Sequence, residues 1–214
     1  LREEDAAALA RSIADEEVLP ADECHRIAVI SGGVPYRVLD LARQAAGGLR
    51  ISAPPATLQD SLWARLQGCS PAQQRLFVAA ALIERPASIK LLASASHLSE
   101  SAAFDAVLAL EARGLVRQTP QGVSPEHHDA AMLALKGTGP AGRALLAGWA
   151  AEALASDPSS LHAELAHLFS IAGNSREAFK HAVAAAYEAA ALNEKPAVMH
   201  FIDLADRTAP TPGD

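Results

Sequence analysis

Residues 99–124 read SESAAFDAVLALEARGLVRQTPQGVS, a pattern that predicts a helix followed by a hairpin. Its first part has a helical pattern up to Arg113, and Gly114 follows at the position where a helix C-terminus favours glycine. The segments 115–118 and 122–124 flank a short turn, and they predict a β-hairpin. Because two further helices are expected just before this stretch, the order is three helices and a hairpin, which is the outline of a winged helix-turn-helix.

The two preceding helices are predicted over 70–84 and 87–94, and another helix over 58–67 precedes them. Ser70 can accept a hydrogen bond from the amide of Gln73, whose side chain can reach back in a capping box. The helix over 99–113 carries three apolar side chains on one face: Phe104, Val107 and Leu108.

Working outward to the N-terminus, three helices are predicted over 3–13, 21–30 and 35–46. Pro35 occupies the first position of the third helix, where its missing N–H costs nothing. Residues 51–56, ISAPPA, predict an extended linker, because paired prolines disfavour helix before them. We place a domain boundary there.

After the hairpin the sequence is again helical, with Asp157 and Asn174 as expected N-caps. The pattern around residues 173–174 resembles the start of an αα repeat array. We therefore predict a mostly α fold made of a helical lid (1–53), a winged-helix domain (54–136) and a TPR-like helical arm (137–214). The helices expected beyond the hairpin cover 126–135, 139–154, 158–172, 175–192 and 196–207.

The composition restricts the class of protein. The chain has 214 residues, a formal net charge of −7, and 50% hydrophobic against 20% charged residues, as in a globular domain. No apolar run approaches the ~18 residues of a membrane span, and the acidic first residues do not resemble a signal peptide. Cys24 and Cys69 form no CxxC motif, which excludes a disulfide scaffold and a cysteine-based zinc site and indicates a reducing compartment. We therefore expect a cytoplasmic protein with no membrane segment.

The ends of the chain suggest a piece of a longer protein. The sequence opens inside a helical pattern at Leu1 and closes with the loose stretch TAPTPGD at 208–214. No GxxxxGK[ST], GxSxG or GxGxxG sequence occurs in it. Since those patterns carry phosphate binding, acyl transfer and dinucleotide binding, we expect no enzyme activity from this chain alone.

Two pairs of residues invite catalytic or metal interpretations. His162 and His167 are five apart, about 140° around a helix, whereas the HExxH zinc motif needs a spacing of four. We expect His162 on the surface, His167 partly packed and no zinc. Cys24 and His25 are adjacent in sequence, which is not the spatial pairing that a thiol nucleophile requires, so Cys24 is interpreted as a small core residue.

The segment 126–129, EHHD, opens a predicted helix and leaves two interpretations open. In one, Asp129 complements the positive end of the helix dipole and one histidine is buried and hydrogen-bonded. In the other, His127 or His128 faces a pocket and senses a phosphate group.

The charges of the winged helix argue against DNA binding. The predicted recognition helix and wing combine three acidic residues with few basic ones, and the net charge is −7. A DNA reader needs basic and amide side chains at those positions and gains affinity from phosphate contacts. A winged helix without a basic face is more typical of packing or signalling. The residues concerned are Glu100, Asp105, Glu111, Arg113 and Arg117.

Six segments follow one another in an order that one family shares. Residues 31–43, SGGVPYRVLDLAR, resemble a GNP-(apolar)-(apolar)-x-E-L lid segment, and residues 58–66, LQDSLWARL, an L-x-D-x-(I/L)-x-x-R-L helix. Residues 123–131, VSPEHHDAA, resemble a (V/F)-x-F-x-H-(D/E) motif. The other three segments are 70–84, 108–116 and 163–190.

Together these segments resemble the STAND ATPases. These AAA-related signal-transducing regulators include the maltose-type and LuxR-type large transcription activators and the ATPase regions of some bacterial kinases and cyclases. The resemblance covers about residues 17–206 and implies the lid, the winged helix and the start of a helical sensor arm. The P-loop core would lie upstream in the same chain.

The resemblance also implies site residues. In this family the lid segment packs on the nucleotide base, which here would involve Gly33 and Pro35, and the winged-helix histidine contacts the β-phosphate of ADP. That histidine matches His128, or His127 with a shift of one residue. The implied function is a nucleotide-dependent switch: a regulatory module, non-catalytic alone, that binds ADP or ATP only together with the upstream ATPase core. Its arm would bind a protein or small-molecule ligand. The alternatives are a DNA-binding winged-helix regulator and a helical interaction scaffold.

Overall fold

The computed structural model describes residues 1–13, 18–48, 58–157 and 159–209. The expected linker at 51–56, its boundary at 53/54 and Pro158 lie outside these ranges. Within them the chain is mostly helical, which confirms the predicted fold class. The elements are α1 (Glu3–Arg11), α2 (Ala21–Ser31), α3 (Pro35–Ala46), α4 (Leu58–Gln67), α5 (Pro71–Ile83), α6 (Ile89–Ser96), α7 (Glu100–Ala112), β1 (Val116–Thr119), β2 (Gly122–Pro125), α8 (His128–Ala155), α9 (His162–Ala172), α10 (Ser175–Ala191) and α11 (Lys195–Thr208).

Helices α1 to α3 pack around a small core of their own. Helix α2 ends at Gly32, which has a left-handed φ of 61°, and α3 begins with Pro35 at its first turn, as predicted. The alanines allow the three helices to approach closely. Fully buried members of this core include Ala6, Ala10, Ile27, Val38 and Leu41.

The winged helix forms from α5, α6, α7 and the hairpin. Strands β1 and β2 are antiparallel, with Val116 opposite Pro125 and Thr119 opposite Gly122, so the predicted hairpin is confirmed. The capping box of α5 is present: Ser70 Oγ accepts from the Gln73 amide, and Gln73 Oε1 accepts from the Ser70 amide at 2.9 Å.

The start of α6 differs from the prediction. Ala87 is not helical: it pairs with Val123 through two backbone hydrogen bonds of 2.8 and 2.9 Å, and so adds a third strand position to the hairpin. Ser88 then caps the helix by accepting from the Leu91 amide. The helical periodicity of the sequence concealed this bridge because a single strand residue has no pattern.

Helix α8 combines two predicted helices into one kinked element. Gly139 has φ 75° and ψ 166°, and Pro140 follows it, so the intrahelical hydrogen bonds are interrupted there. The predicted boundary at 136/137 falls just before this kink. The main core continues across it, from Phe77, Leu92 and Leu110 to Leu154 and Leu168. The three-domain division stays a prediction.

The arm consists of the second half of α8 with α9, α10 and α11. Asn174 caps α10 by accepting from the Glu177 amide, as predicted. Asp157 was wrongly expected to cap α9: its carboxylate accepts from Ser159 N and Oγ at 3.0 and 2.8 Å, and the helix begins only at His162. None of the described helices is long and apolar enough to cross a membrane.

Candidate functional site

Asp40 and Arg65 form a buried ion pair between α3 and α4. Their side chains are 1% and 2% exposed, so both charges are almost completely removed from water. Burial of a charge is costly unless it is paired and hydrogen-bonded, and such pairs are rare in protein cores. This pair therefore forms the centre of the candidate site.

Two further polar side chains make hydrogen bonds to one oxygen of the Asp40 carboxylate. Gln44 Nε2 donates to Asp40 Oδ2 at 2.8 Å and to Ser61 Oγ at 3.0 Å. Ser61 Oγ in turn donates to Asp40 Oδ2. All four side chains are buried. Because two of them belong to α3 and two to α4, the network joins the N-terminal helices to the helix that leads into the winged helix.

Arg65 extends the network to the end of α7. Its Nη1 atom donates to the carbonyl oxygen of Arg113 at 3.1 Å, where helix carbonyls have no intrahelical partner. Gly114 follows with φ 63°, and a Cβ atom there would lie 3.2 Å from Arg65 Nη1. Burial lowers the pKa of the Arg65 guanidinium, but arginine keeps its proton in proteins. The positive charge therefore faces both Asp40 and the negative end of α7.

Asp40 and Arg65 lie within the segments that resemble the STAND family, but the sequence pattern predicts no role for either residue. One signal was present: Arg65 lies on the same side of α4 as Leu62 and Leu66, which are both buried. A charged residue on an apolar stripe indicates a buried partner. The identity of that partner depends on how α3 packs against α4, which periodicity does not specify.

The predicted nucleotide-site residues lie at separate places in the fold. Gly33 is buried in the turn between α2 and α3, with φ 71°, and Pro35 is exposed at the start of α3. His128 is the first residue of α8 and is exposed, while His127 is half-buried. No hydrogen bond or ion pair within the described ranges joins Gly33 or Pro35 to either histidine. Their assignment to a nucleotide site stays a prediction.

A histidine pair connects α9 and α10. Nδ1 of His162 lies 2.8 Å from Nδ1 of His181, so one ring donates and the other accepts. His181 is buried and its ring stacks on Phe169 at 5.7 Å between centroids. Burial lowers the pKa of His181, and the neighbouring His162 and Lys180 lower it further, although Glu177 opposes this effect. His181 therefore favours the neutral state.

The predicted burial of His162 and His167 is wrong, because the structure has the reverse of it. His162 is half-buried in this pair, whereas His167 is exposed. Over the described part of the chain, no three His, Cys, Asp or Glu side chains are grouped to hold a metal ion. Cys24 is fully buried, as interpreted from the sequence, and burial raises the pKa of its thiol.

The surface of α7 is apolar and acidic. Of the three apolar residues that share a face, only Val107 is buried; Phe104 is 47% exposed and Leu108 is 44% exposed. Glu111 accepts from the backbone and the side chain of Gln118, which ties the wing to this helix. A helix with these exposed groups offers little to the acceptors and phosphates of a DNA groove.

The chain was compared with protein-family models, with curated proteins and with solved structures, and none of the three comparisons finds a match.

Proposed function

We propose that this chain is the regulatory part of a nucleotide-switched ATPase of the STAND type, non-catalytic by itself. In this proposal ADP or ATP binds between an upstream ATPase core and this chain, and the nucleotide state changes how the helical units are arranged. The observation that carries the proposal is the buried network of Asp40, Gln44, Ser61 and Arg65. It joins the lid-like helices to the helix before the winged helix through buried charges, whose burial is favourable only while they are paired.

A switch of this kind needs an element with two discrete arrangements. The Asp40–Arg65 ion pair would favour one such arrangement, because separating the two buried charges is costly. The order of lid-like, winged-helix and repeat-like segments in the sequence supports the same proposal. A nucleotide would shift the equilibrium only by its difference in affinity for the two arrangements.

The test is ADP binding to the full-length protein that contains this sequence, measured by calorimetry. His128→Ala is expected to weaken binding by about 1.5–3 kcal/mol if this side chain hydrogen-bonds the charged β-phosphate. His127→Ala examines the alternative register, and a loss at His127 alone assigns the contact to that residue. His167→Ala, which removes an exposed histidine on α9, is the matched control and should have no effect.

Two results would contradict the proposal. One is unchanged ADP affinity in both the His127 and the His128 variants. The other is the absence of any P-loop from the rest of the full-length protein.

A second candidate function is protein binding through α7. Phe104 and Leu108 are exposed next to acidic side chains, an arrangement that suits a protein surface better than DNA. Replacing both with serine is expected to abolish retention of the upstream ATPase core in a pull-down, without changing the melting temperature. DNA retention that falls steeply with salt would instead favour the DNA-binding alternative.

A further inference from the structure

A cavity of about 350 Å³ lies between α4, α5 and α8. Its walls are mainly apolar and include Trp63, Leu66, Phe77, Val78 and Leu146. Ligand pockets in proteins start at about 300 Å³ and are mostly apolar with a few polar groups, whereas a cavity of about 150 Å³ already accepts benzene. The size therefore suits a small molecule larger than a single aromatic ring.

The kink in α8 creates this cavity. Ala134 and Leu146 both line it, although residues twelve apart on a straight helix would be separated by about 18 Å along the axis. The non-helical backbone at Gly139 brings the two halves of α8 to the same space. Gly137 also faces Trp63: a Cβ at this position would lie 2.9 Å from Trp63 Cη2. A glycine at 137 thus leaves room for the indole ring at the cavity wall.

One charged side chain, that of Arg75, lines the cavity. Gln74 Nε2 already donates to the carbonyl oxygens of Leu66 and Cys69, both at 3.2 Å, and Thr138 Oγ1 donates to Ala134 O at 2.7 Å. Arg75 makes no ion pair with any carboxylate whose position the structure describes, and none of the lining residues is acidic. A guanidinium can bind a carboxylate through two parallel hydrogen bonds.

We propose that this cavity binds a small amphipathic carboxylate, with its aromatic or aliphatic body between Trp63, Phe77 and Leu146 and its carboxylate on Arg75. The ligand would contact α4, α5 and both halves of α8 at once. Its binding would stabilise the kinked arrangement, because it adds contacts that exist only when the two halves converge. The proposal concerns a site separate from the predicted nucleotide residues and does not depend on them.

The chain provides its own reporter for the test. It has two tryptophans, Trp63 at the cavity and Trp149, whose side chain contacts His97 in a stacked arrangement with 3.9 Å between ring centroids. In Trp149→Phe, Trp63 is the single tryptophan, and its fluorescence reports the cavity. The probes are 4-phenylbutyrate and octanoate, with 4-phenylbutan-1-ol as the uncharged counterpart.

We expect both carboxylates to change Trp63 fluorescence in a saturable manner at micromolar to low millimolar concentrations, and the alcohol to bind more weakly. Arg75→Gln should weaken carboxylate binding about tenfold to a hundredfold and leave the alcohol unchanged. Arg176→Gln, which removes an exposed arginine on α10, is the matched control and should change neither. Thermal melts of the variants without ligand verify that they fold.

Three outcomes would overturn the proposal. The first is the absence of a saturable fluorescence response to either carboxylate at concentrations up to about 10 mM, which is tenfold above the weak end of specific binding. The second is equal affinity of Arg75→Gln and Arg176→Gln for the carboxylates. The third concerns the protein that retains Arg75: equal affinity for 4-phenylbutan-1-ol and for 4-phenylbutyrate would show that the arginine does not bind the carboxylate.

Discussion

Arg65 contacts Asp40 on α3 and, at the same time, donates to the carbonyl oxygen of Arg113 at 3.1 Å, at the end of α7. One side chain thus joins three helices that belong to two predicted domains. The contact is directional, since the guanidinium has donors on several sides while the carboxylate accepts from only a few. The position of the N-terminal helices relative to the winged helix therefore depends on this ion pair and its hydrogen bonds.

Removing one partner of the ion pair should be strongly destabilising. Asp40→Ala leaves the Arg65 charge buried without a partner, so the free energy of unfolding should fall by about 3–5 kcal/mol. The double variant Asp40→Leu, Arg65→Met should recover most of that loss, because apolar residues of similar volume replace buried pairs at little cost. Denaturant unfolding monitored by circular dichroism measures both.

The control for the ion pair is an exposed pair of the same chemistry. Arg2 and Asp5 are three residues apart on the surface at 3.1 Å. Arg2→Ala should change stability by less than about 1 kcal/mol. If Asp40→Ala has an equally small effect, the buried network contributes no specificity and the proposed switch contact loses its support.

The pKa of His181 predicts a pH dependence of stability. Its pKa is lowered in the folded protein by burial first and by His162 and Lys180 next. The unfolded chain therefore binds the proton more readily than the folded protein. The contribution of His181 to the free energy of unfolding is fully present above its pKa in the unfolded chain, about 6.5. It is lost as the pH falls through its lower pKa in the folded protein.

The measurement is the free energy of unfolding between pH 7.5 and 5 for the protein and for His181→Phe. The variant should lose part of the acid-induced decrease, since it removes the imidazole whose pKa is lowered by folding. Asp157 and Glu177 also have lowered pKa values, but these carboxylates act at lower pH, below their ordinary values near 4. Parallel pH curves for the two proteins would show that His181 is not the group responsible.

Gly122 is expected to tolerate no side chain. It has φ 134°, and an added Cβ would lie within 3 Å of the Ala87 backbone, at the bridge that adds Ala87 to the hairpin. Gly122→Ala should therefore destabilise by more than about 1 kcal/mol. Gly173→Ala is the matched comparison, because Gly173 has φ 77° but nothing within 4 Å. Gly173→Ala should lose only the free energy that a left-handed backbone costs a residue other than glycine. Equal losses of the free energy of unfolding at both sites would refute the close contact between Gly122 and the Ala87 backbone.

The capping box of α5 makes a smaller and local prediction. Ser70→Ala removes the acceptor of the Gln73 amide, so the free energy of unfolding should decrease by about 1 kcal/mol. Ser101→Ala, at the exposed second residue of α7, is the control and should change the free energy of unfolding by less than about 0.5 kcal/mol. Thermal unfolding of both variants is sufficient, and a neutral result for Ser70→Ala would show that solvent replaces the cap.

The sequence alone determined the features that depend on near neighbours. Ser70, Asn174 and Pro35 predicted helix starts that the structure confirms, and the turn around Pro120 predicted the hairpin. These interactions extend over three or four residues, so the pattern contains both partners. The mostly helical class followed from the same local signals. The proposed nucleotide site depends on a family resemblance and stays a prediction.

Contacts between groups that are far apart in the sequence depend on how the helices pack together. The Asp40–Arg65 pair, the His162–His181 pair and the bridge of Ala87 to Val123 each join separate elements. The same is true of the cavity, which is lined by residues of α4, α5 and both sides of the kink at Gly139 in α8. Helical periodicity specifies which side of a helix is buried, but not which helix covers it. Partner choice results from how side chains of several elements fill space together, and no single stretch of sequence contains that information.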